Sequence, residues 1–163
     1  MTHLTGMLIK AKYNGNLDEM AENLTIEDKL EAMRQLLNGL IKLHEISRIH
    51  RDILLKNIFV RIKVKEEKKI KYYHLGDFGI SVIFNPEEHS KSLVNKDICS
   101  LGDAFETMFF KGLDMYDKPI SKDFLSKVKE WIYKVKENRQ DLTLEQQVKR
   151  EKQLLDELAL IKI

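Results

Sequence analysis

The chain has 163 residues, 43% of them hydrophobic and 33% charged, which is enough apolar material for one domain with a sizeable core. Its formal charge of +2 gives no indication of nucleic-acid binding, and its single cysteine, Cys99, excludes an internal disulfide. No apolar run has the length of a membrane span or the form of a signal peptide. We therefore expect a cytoplasmic protein without a membrane partner. A signal for a specialised export system leaves no such trace, so a secreted protein stays an alternative.

The first part of the chain predicts a strand followed by helices. A short strand, a turn and a short helix are predicted, in this order, at residues 7–13, 14–16 and 17–23. Thr25 has the acids Glu27 and Asp28 close behind it, which is the pattern of a helix N-cap with a capping box. Apolar residues at helical spacing over residues 26–44 then predict a long and mostly buried helix.

The hydrophobic period changes from helix-like to strand-like after this helix. Residues 58–64 and 70–75 alternate between apolar and polar side chains, and the charged residues 63–69 form the connection between them. Two alternating strands with a charged tip predict a β-hairpin, and Asp77 follows its second strand almost directly.

The rest of the chain predicts a loop at residues 78–96 and then helices. The first two helices are predicted at residues 97–111 and 121–136. Gly112 ends the first, Ser121 caps the second, and Thr143 with Gln146 begins a last helix with a capping box. The packing face predicted for the last helix consists of Leu154, Leu155, Leu158 and Leu160. This order of elements predicts an α+β fold that is mainly helical.

Two short motifs carry the chemistry of the chain. They are His-Arg-Asp-Ile-Leu-Leu-Lys-Asn at residues 50–57 and Gly-Asp-Phe-Gly at residues 76–79. Asp52 follows a helix on a loop, where a carboxylate can accept a hydrogen bond from a hydroxyl and orient it for in-line attack. Asn57 and Asp77 supply the hard oxygen ligands that Mg²⁺ prefers. Each motif alone is weak, but their combination and spacing predict phosphoryl transfer.

Together these motifs resemble the C-terminal lobe of a eukaryotic-type protein kinase. Residues 50–57 resemble the catalytic loop, residues 77–79 the magnesium-binding motif, and residues 97–102 the start of the central helix. The resemblance implies a C-lobe with a β-hairpin at the active site and one hinge strand. It divides the chain into residues 1–16, the last N-lobe strand and the hinge, and residues 17–163, the C-lobe.

The resemblance also implies roles for individual residues, with ATP and Mg²⁺ as cofactors and a protein as substrate. The implied catalytic residues are Asp52, Lys56 and Asn57. The implied metal ligands are Asn57 and Asp77. The implied nucleotide-binding residues are Lys10, Lys12, Asn16, Phe59 and Asp77. The implied structural supports are His50, Arg51, Phe78, Gly79 and Asp97, of which the last anchors the catalytic-loop backbone. In the hinge, Ile9 would be the gatekeeper, the Lys10 carbonyl and Lys12 amide would face adenine, and Phe59 would form the floor.

Several features depart from the kinase pattern. Leu54 stands where serine/threonine kinases carry a lysine, and Lys56 where tyrosine kinases often carry an arginine, so these two positions alone do not determine the acceptor hydroxyl. The expected acceptor is a Ser/Thr hydroxyl, with Tyr less favoured. The segment of residues 77–97 is short and lacks Ala-Pro-Glu, so Arg139 is expected to lack its usual partner. No glycine-rich loop or strand lysine precedes residue 50, and we expect an upstream segment or a partner to complete the N-lobe.

Three functions are therefore compared. The first is a protein kinase that is impaired as an isolated chain, and the second is a pseudokinase or kinase fragment that acts as a binding module. The third is a small-molecule phosphotransferase, for which a His-Gly-Asp loop rather than Arg51 would be typical. His44 and His74 have no second ligand at suitable spacing, so we expect structural or surface positions for both.

Overall fold

The computed structural model describes residues 13–113 and 119–163, which form a helical body carrying small sheets. The helices are α1 (Leu17–Met20), α2 (Ile26–Glu45), α3 (Lys91–Phe110), α4 (Lys122–Lys136) and α5 (Leu144–Ala159). The strands are β1 (Gly15–Asn16), β2 (Arg48–Ile49), β3 (Ile58–Lys65), β4 (Lys68–Leu75) and β5 (Val82–Ile83). Short 3₁₀ turns lie at Ala21–Asn23 and Leu55–Asn57. A mixed fold that is mainly helical was predicted and is confirmed. No helix in the described ranges combines the length and apolarity that a bilayer span requires.

Helix α2 begins as its sequence predicts and forms the centre of the core. Thr25 Oγ1 accepts a hydrogen bond from the Asp28 backbone N–H at 3.0 Å, and Asp28 Oδ2 accepts one from the Thr25 N–H at 3.2 Å. These two bonds form a capping box, which satisfies backbone donors that the first turn leaves unpaired. The apolar stripe of the helix is buried and packs on α5 and β4. The predicted helix over residues 26–44 is confirmed.

The β-hairpin is formed by β3 and β4 and is also confirmed. Its antiparallel register runs from Ile58 opposite Leu75 to Lys65 opposite Lys68. Glu66 and Glu67 form the two-residue tip and both have positive φ angles, 52° and 63°. Positive φ at both positions is the conformation that matches the twist of the flanking strands.

The predicted turn at residues 14–16 is wrong for Gly15 and Asn16, which form a strand. Gly15 lies opposite Val60 and Asn16 opposite Phe59, so β1 adds a third strand to the hairpin in the order β1-β3-β4. The Asn14 N–H also donates to the Val60 carbonyl at 2.8 Å. Asn and Gly favour turns locally, and here pairing with a distant strand overrides that preference. Residues 7–12 of the predicted first strand lie outside the described residues.

Helix α3 begins at Lys91, six residues earlier than predicted, so the loop predicted at residues 78–96 is wrong for its last part. Val94 explains the difference, because it is buried in a small cluster with Ile49 and Phe84. This cluster packs beneath a two-stranded ribbon in which β2 pairs antiparallel with β5. Because Val94 has polar neighbours in the sequence, no apolar pattern there predicts this contact.

The last two helices begin at their predicted caps. Ser121 Oγ accepts from the Phe124 N–H, and Thr143 and Gln146 form a second capping box. Leu154 and Leu158 are buried as predicted, whereas Leu160 is 80% exposed because α5 ends one residue before it. The expected packing role of Leu160 is therefore wrong. Cys99 is half-buried, with its Sγ 3.4 Å from the Lys136 carbonyl oxygen.

Candidate functional site

Asp97 of α3 holds the loop that follows β2. Its Oδ2 accepts a hydrogen bond from the His50 backbone N–H at 2.7 Å, and its Oδ1 accepts one from the Arg51 N–H at 2.8 Å. Arg51 has a φ angle of 76°, a left-handed conformation that costs free energy in a residue with a side chain. Asp97 is only 1% exposed, and its bond to the His50 N–H is buried, whereas its bond to the N–H of the exposed Arg51 is partly buried. The carboxylate thereby keeps the loop backbone in an otherwise unfavourable conformation.

Asp52 and Asn57 lie together at this loop. Asn57 Nδ2 donates to the Asp52 carbonyl at 2.9 Å and to Asp52 Oδ2 at 3.1 Å. Both bonds use the amide N–H₂ group, so the Asn57 Oδ1 oxygen is the atom that can bind a cation. Oδ1 of Asp52 is the carboxylate oxygen left for a further donor such as a hydroxyl.

His50 ties this loop to the end of the hairpin. Its Nδ1 accepts from the Asp52 N–H at 3.1 Å, and its Nε2 lies 2.7 Å from the Gly76 carbonyl oxygen. A ring that accepts at Nδ1 and donates at Nε2 is the neutral Nε2–H tautomer. The His50 ring also packs on Phe78, with ring centroids 4.8 Å apart. The segment carrying Asp77 is in this way attached to the loop carrying Asp52.

Gly76 makes a second connection between the two motifs. Its N–H donates to the Asn57 carbonyl at 2.8 Å, directly before Asp77 turns the chain with a φ angle of 53°. Asp77, Phe78 and Gly79 are all exposed. Residues 13–113 and 119–163 contain no cluster of three or more His, Cys, Asp or Glu side chains arranged for a metal. An amide oxygen and a carboxylate nevertheless fit Mg²⁺, which keeps water and phosphate oxygens as its other ligands.

An aromatic surface lies beside these groups on the sheet. The Tyr13 ring stacks on Phe59 with centroids 5.5 Å apart and an interplanar angle of 27°, and it lies 5.4 Å from the His74 ring. Phe59 was predicted as the floor of a nucleotide site, whereas Tyr13 was not selected from the sequence. The only sequence signal for Tyr13 is its place at the end of the strand predicted at residues 7–13. His74 is exposed on β4, in agreement with its expected surface position.

Other predicted residues are less closely associated with the site. Asn16 is the N-cap of α1, where its Oδ1 accepts from the Glu19 N–H at 3.0 Å, so a ribose contact stays a prediction. Lys56 is exposed and lines a cleft of about 390 Å³ together with Asp18 and Asp103. Its expected contact with a transferring phosphate stays a prediction as well. The three hinge residues Ile9, Lys10 and Lys12 lie outside the described residues. Arg139 has a local partner, with its Nε 3.2 Å from Asp141 Oδ1 at the surface.

Replacing Gly76 by alanine is expected to disturb the aromatic surface. A Cβ at Gly76 would lie 2.2 Å from Phe59 Cε2 and 3.3 Å from the Asn57 carbonyl oxygen, so the Phe59 ring must move. Overpacking of this kind lowers the free energy of unfolding by about 1–3 kcal/mol. Urea unfolding of both proteins measures this difference.

Gly39 offers a matched control within helix α2. A Cβ there would meet nothing within 4 Å, so Gly39→Ala is expected to raise the free energy of unfolding by up to about 1 kcal/mol. Equal stability of the Gly76→Ala variant and the unmodified chain would contradict the close packing of Phe59 on Gly76.

Comparisons with known proteins bear on the family of this chain. A probable serine/threonine-protein kinase, zyg-1 of Caenorhabditis elegans, is 24% identical to this chain over 87 residues. The match covers 53% of this chain and 12% of that protein, so the chain corresponds to a small part of that relative. The family model described as protein tyrosine and serine/threonine kinase matches residues 4–113, which include every residue predicted for the site. Because this match spans more than half of the 163 residues, the chain belongs to the protein tyrosine and serine/threonine kinase family.

Proposed function

We propose that the chain is the C-terminal lobe of a protein kinase that transfers the γ-phosphate of ATP to a hydroxyl of a protein. The observation that carries this proposal is the linked geometry of the two motifs. Asn57 binds Asp52 through its amide nitrogen, while His50 and the Asn57 carbonyl both bind Gly76 next to Asp77. A kinase site needs this juxtaposition of a hydroxyl-orienting carboxylate and two magnesium ligands.

Asp52 is the proposed catalytic carboxylate. Its Oδ2 is held by Asn57 Nδ2, which leaves Oδ1 to accept a hydrogen bond from the substrate hydroxyl and orient its oxygen for attack. Its backbone is fixed through the His50 ring and, one residue earlier, through Asp97. Because the carboxylate is already fixed, less conformational entropy is lost when the reacting groups reach the transition state.

Asn57 and Asp77 are the proposed ligands of Mg²⁺. The ion, when bound with ATP, neutralises charge on the phosphate oxygens and orients the γ-phosphate. Asn57 Oδ1 is free to bind it because both Asn57 donor bonds point to Asp52. We further propose that Phe59, with Tyr13 stacked beside it, contacts the adenine ring.

The division of the chain follows from the same proposal. Residues 1–16 would belong to the last N-lobe strand and the hinge, with Lys10 and Lys12 facing adenine, and residues 17–163 would form the C-lobe. The pairing of β1 with β3 supports a hinge segment that continues into the sheet. An upstream segment or a partner chain would supply the phosphate-covering part of the site, so we expect weak ATP binding by these 163 residues alone.

A serine or threonine hydroxyl is the preferred acceptor, with tyrosine less favoured. The description of the matching relative as a serine/threonine kinase supports this preference. Lys56 lies four residues after Asp52 and is exposed, so its point charge can approach the transferring phosphate.

A binding module without catalysis is the second candidate. The observation that favours it is the exposure of the magnesium motif, in which Phe78 is 43% exposed and the following Ile80 is 53% exposed. Exposed apolar side chains next to one another are typical of contact surfaces. Such a module would bind a partner chain through this segment and would not depend on Asp52.

Radiolabelled ATP distinguishes the two candidates. The chain is incubated with Mg²⁺, labelled ATP and a general protein substrate, with and without an upstream segment or partner chain that supplies the N-lobe. We expect transfer only in the completed form, with a loss of at least about 100-fold in the Asp52→Asn variant. Asp123→Asn, which changes an exposed acid on α4, is the control and should leave the rate unchanged.

The possible outcomes separate the parts of the proposal. Transfer that survives Asp52→Asn, or no transfer in the completed form, would reject the kinase reaction. Strong Asp52-dependent transfer by the 163 residues alone would reject the need for an upstream segment or partner.

A further inference from the structure

A buried cluster of polar side chains lies behind the catalytic loop. His44 of α2 is its centre, with Nε2 2.9 Å from Asp97 Oδ2 and Nδ1 2.9 Å from Glu151 Oε2. The second oxygen of Glu151, Oε1, lies 3.0 Å from the same Nδ1. The His44 and Glu151 side chains are fully buried, and that of Asp97 is 1% exposed. The last helix, α5, therefore reaches the residue that anchors the loop.

The cluster requires His44 to be an imidazolium. Ionised carboxylates only accept hydrogen bonds, so a ring placed between two of them must donate from both nitrogens. Burial opposes the charge, but hydrogen bonds to Asp97 and Glu151 outweigh this effect and raise the pKa of His44 to about 9. The charged ring in turn stabilises both carboxylates where water is excluded.

Glu151 is itself held in a single orientation. Gln147, one turn earlier on α5 and fully buried, donates from Nε2 to Glu151 Oε2 at 3.0 Å. The other end of the cluster is equally constrained, because Asp97 Oδ2 accepts from both His44 and the His50 N–H. A continuous series of hydrogen bonds thus runs from α5 to the backbone of the catalytic loop.

We propose that Glu151 is a positioning residue for the catalytic loop, acting through His44 and Asp97. Glu151 keeps the His44 ring hydrogen-bonded at both of its nitrogens. The ring in turn keeps Asp97 in the orientation that accepts hydrogen bonds from the His50 and Arg51 amides. The catalytic consequence of this inference depends on the proposed kinase function, whereas its effect on the loop does not. Glu151 lies beyond residues 4–113, so it is a feature of this chain outside the part that the family model matches.

The charged groups near His44 come from three elements. Asp97 of α3 and Glu151 of α5 face its ring, and Arg150 acts electrostatically on Glu151. Glu45, Lys149 and Lys152 line an adjacent cavity of about 880 Å³, to which His44 also contributes. The Asp97 and Glu151 carboxylates make the close contacts with the ring, so the removal of one charge has a measurable effect on His44.

The test replaces Glu151 by glutamine, which keeps the shape of the side chain and removes its charge. We expect the pKa of His44, followed by NMR of its ring, to fall by about 1–3 units because one of its two ionic partners is lost. Hydrogen exchange at the His50 and Arg51 amides should accelerate about tenfold or more relative to core amides of α2, because Asp97 is less firmly held. Asp156→Asn, an exposed acid on the same helix, should change neither quantity.

The same measurements show how the proposal can fail. Equal acceleration of exchange at all amides would mean that Glu151 only stabilises the whole fold, and it would overturn the positioning role. Unchanged exchange at His50 and Arg51 would overturn it as well. Both readouts use the 163-residue chain without ATP, so the absence of transfer in the completed form would reject the kinase reaction and leave this result standing.

A second variant covers the case in which Glu151→Gln does not fold. Gln147→Met removes the bond to Glu151 Oε2 together with a buried amide oxygen that has no hydrogen-bond partner in the described structure. Faster exchange at His50 and Arg51 in this variant supports the proposal, and unchanged exchange contradicts it. In the completed kinase, Glu151→Gln should lower kcat more than it raises KM, because orientation rather than substrate binding is lost.

Discussion

Replacing Asp97 by alanine is expected to lower the free energy of unfolding by about 3–5 kcal/mol, the usual result of removing one partner of a buried ionic cluster. Asp97 accepts hydrogen bonds from the His50 and Arg51 backbone and from His44 Nε2. Alanine would leave all three donors without this acceptor, and the donors of His50 and His44 are buried. Since a domain is stable by only about 5–15 kcal/mol, the variant should be close to unfolding at room temperature.

Urea unfolding measures this effect, and Asp103→Ala is its control. Asp103 lies on the same helix with a side chain that is 68% exposed and bound to Lys136 at 3.1 Å. A surface ion pair contributes at most about 1 kcal/mol, so its removal should have a small effect. If both variants lost the same stability, the support of the loop by Asp97 would have no energetic importance.

Raising the pH from 6.5 to 9 is expected to reduce the free energy of unfolding by about 3 kcal/mol through His44 alone. The pKa of His44 is raised in the folded protein from 6.5 to about 9, so the folded state binds the proton more tightly than the unfolded state. Its stabilising contribution is complete below pH 6.5 and disappears as the pH rises through 9. The physical reason is that a neutral ring can donate to only one of the two carboxylates.

Urea unfolding at a series of pH values tests this expectation. His44→Gln should abolish the decrease between pH 6.5 and 9, although it lowers stability at every pH. His74→Gln is the matched control, since partial desolvation of its ring and the charge of Arg61 lower the pKa of His74, and its titration therefore lies below this window. A decrease of unchanged size in the His44→Gln variant would assign the pH dependence to another group.

Much of the site was predictable because its residues are close together in sequence. Asp52 and Asn57 were selected from the spacing of one motif, and in the structure their side chains are 3.1 Å apart. Asp77 follows β4, a strand that the alternation of apolar and polar residues predicted. Because β4 pairs in regular register with β3, which follows the loop, the hairpin returns Asp77 to that loop. The family resemblance implied that Asp97 anchors the backbone of this loop. In the structure Asp97 accepts hydrogen bonds from the His50 and Arg51 backbone N–H groups.

Local patterns were also sufficient for most helix starts and for the hairpin. Caps such as Thr25 and Thr143 act within four residues, and strand alternation acts within one strand, so neither requires knowledge of the rest of the chain.

Long-range packing was needed for the remaining features. Gly15 and Asn16 form a strand because β3 supplies hydrogen-bond partners more than forty residues away, and α3 starts at Lys91 because Val94 packs on Ile49 and Phe84. Glu151 resembled any other acid in an amphipathic helix. Its place against His44 depends on how α5 packs on α2, and no local signal specifies that contact. The motifs therefore indicated the proposed chemistry, whereas the packing of the helices showed what holds the loop of residues 50–57.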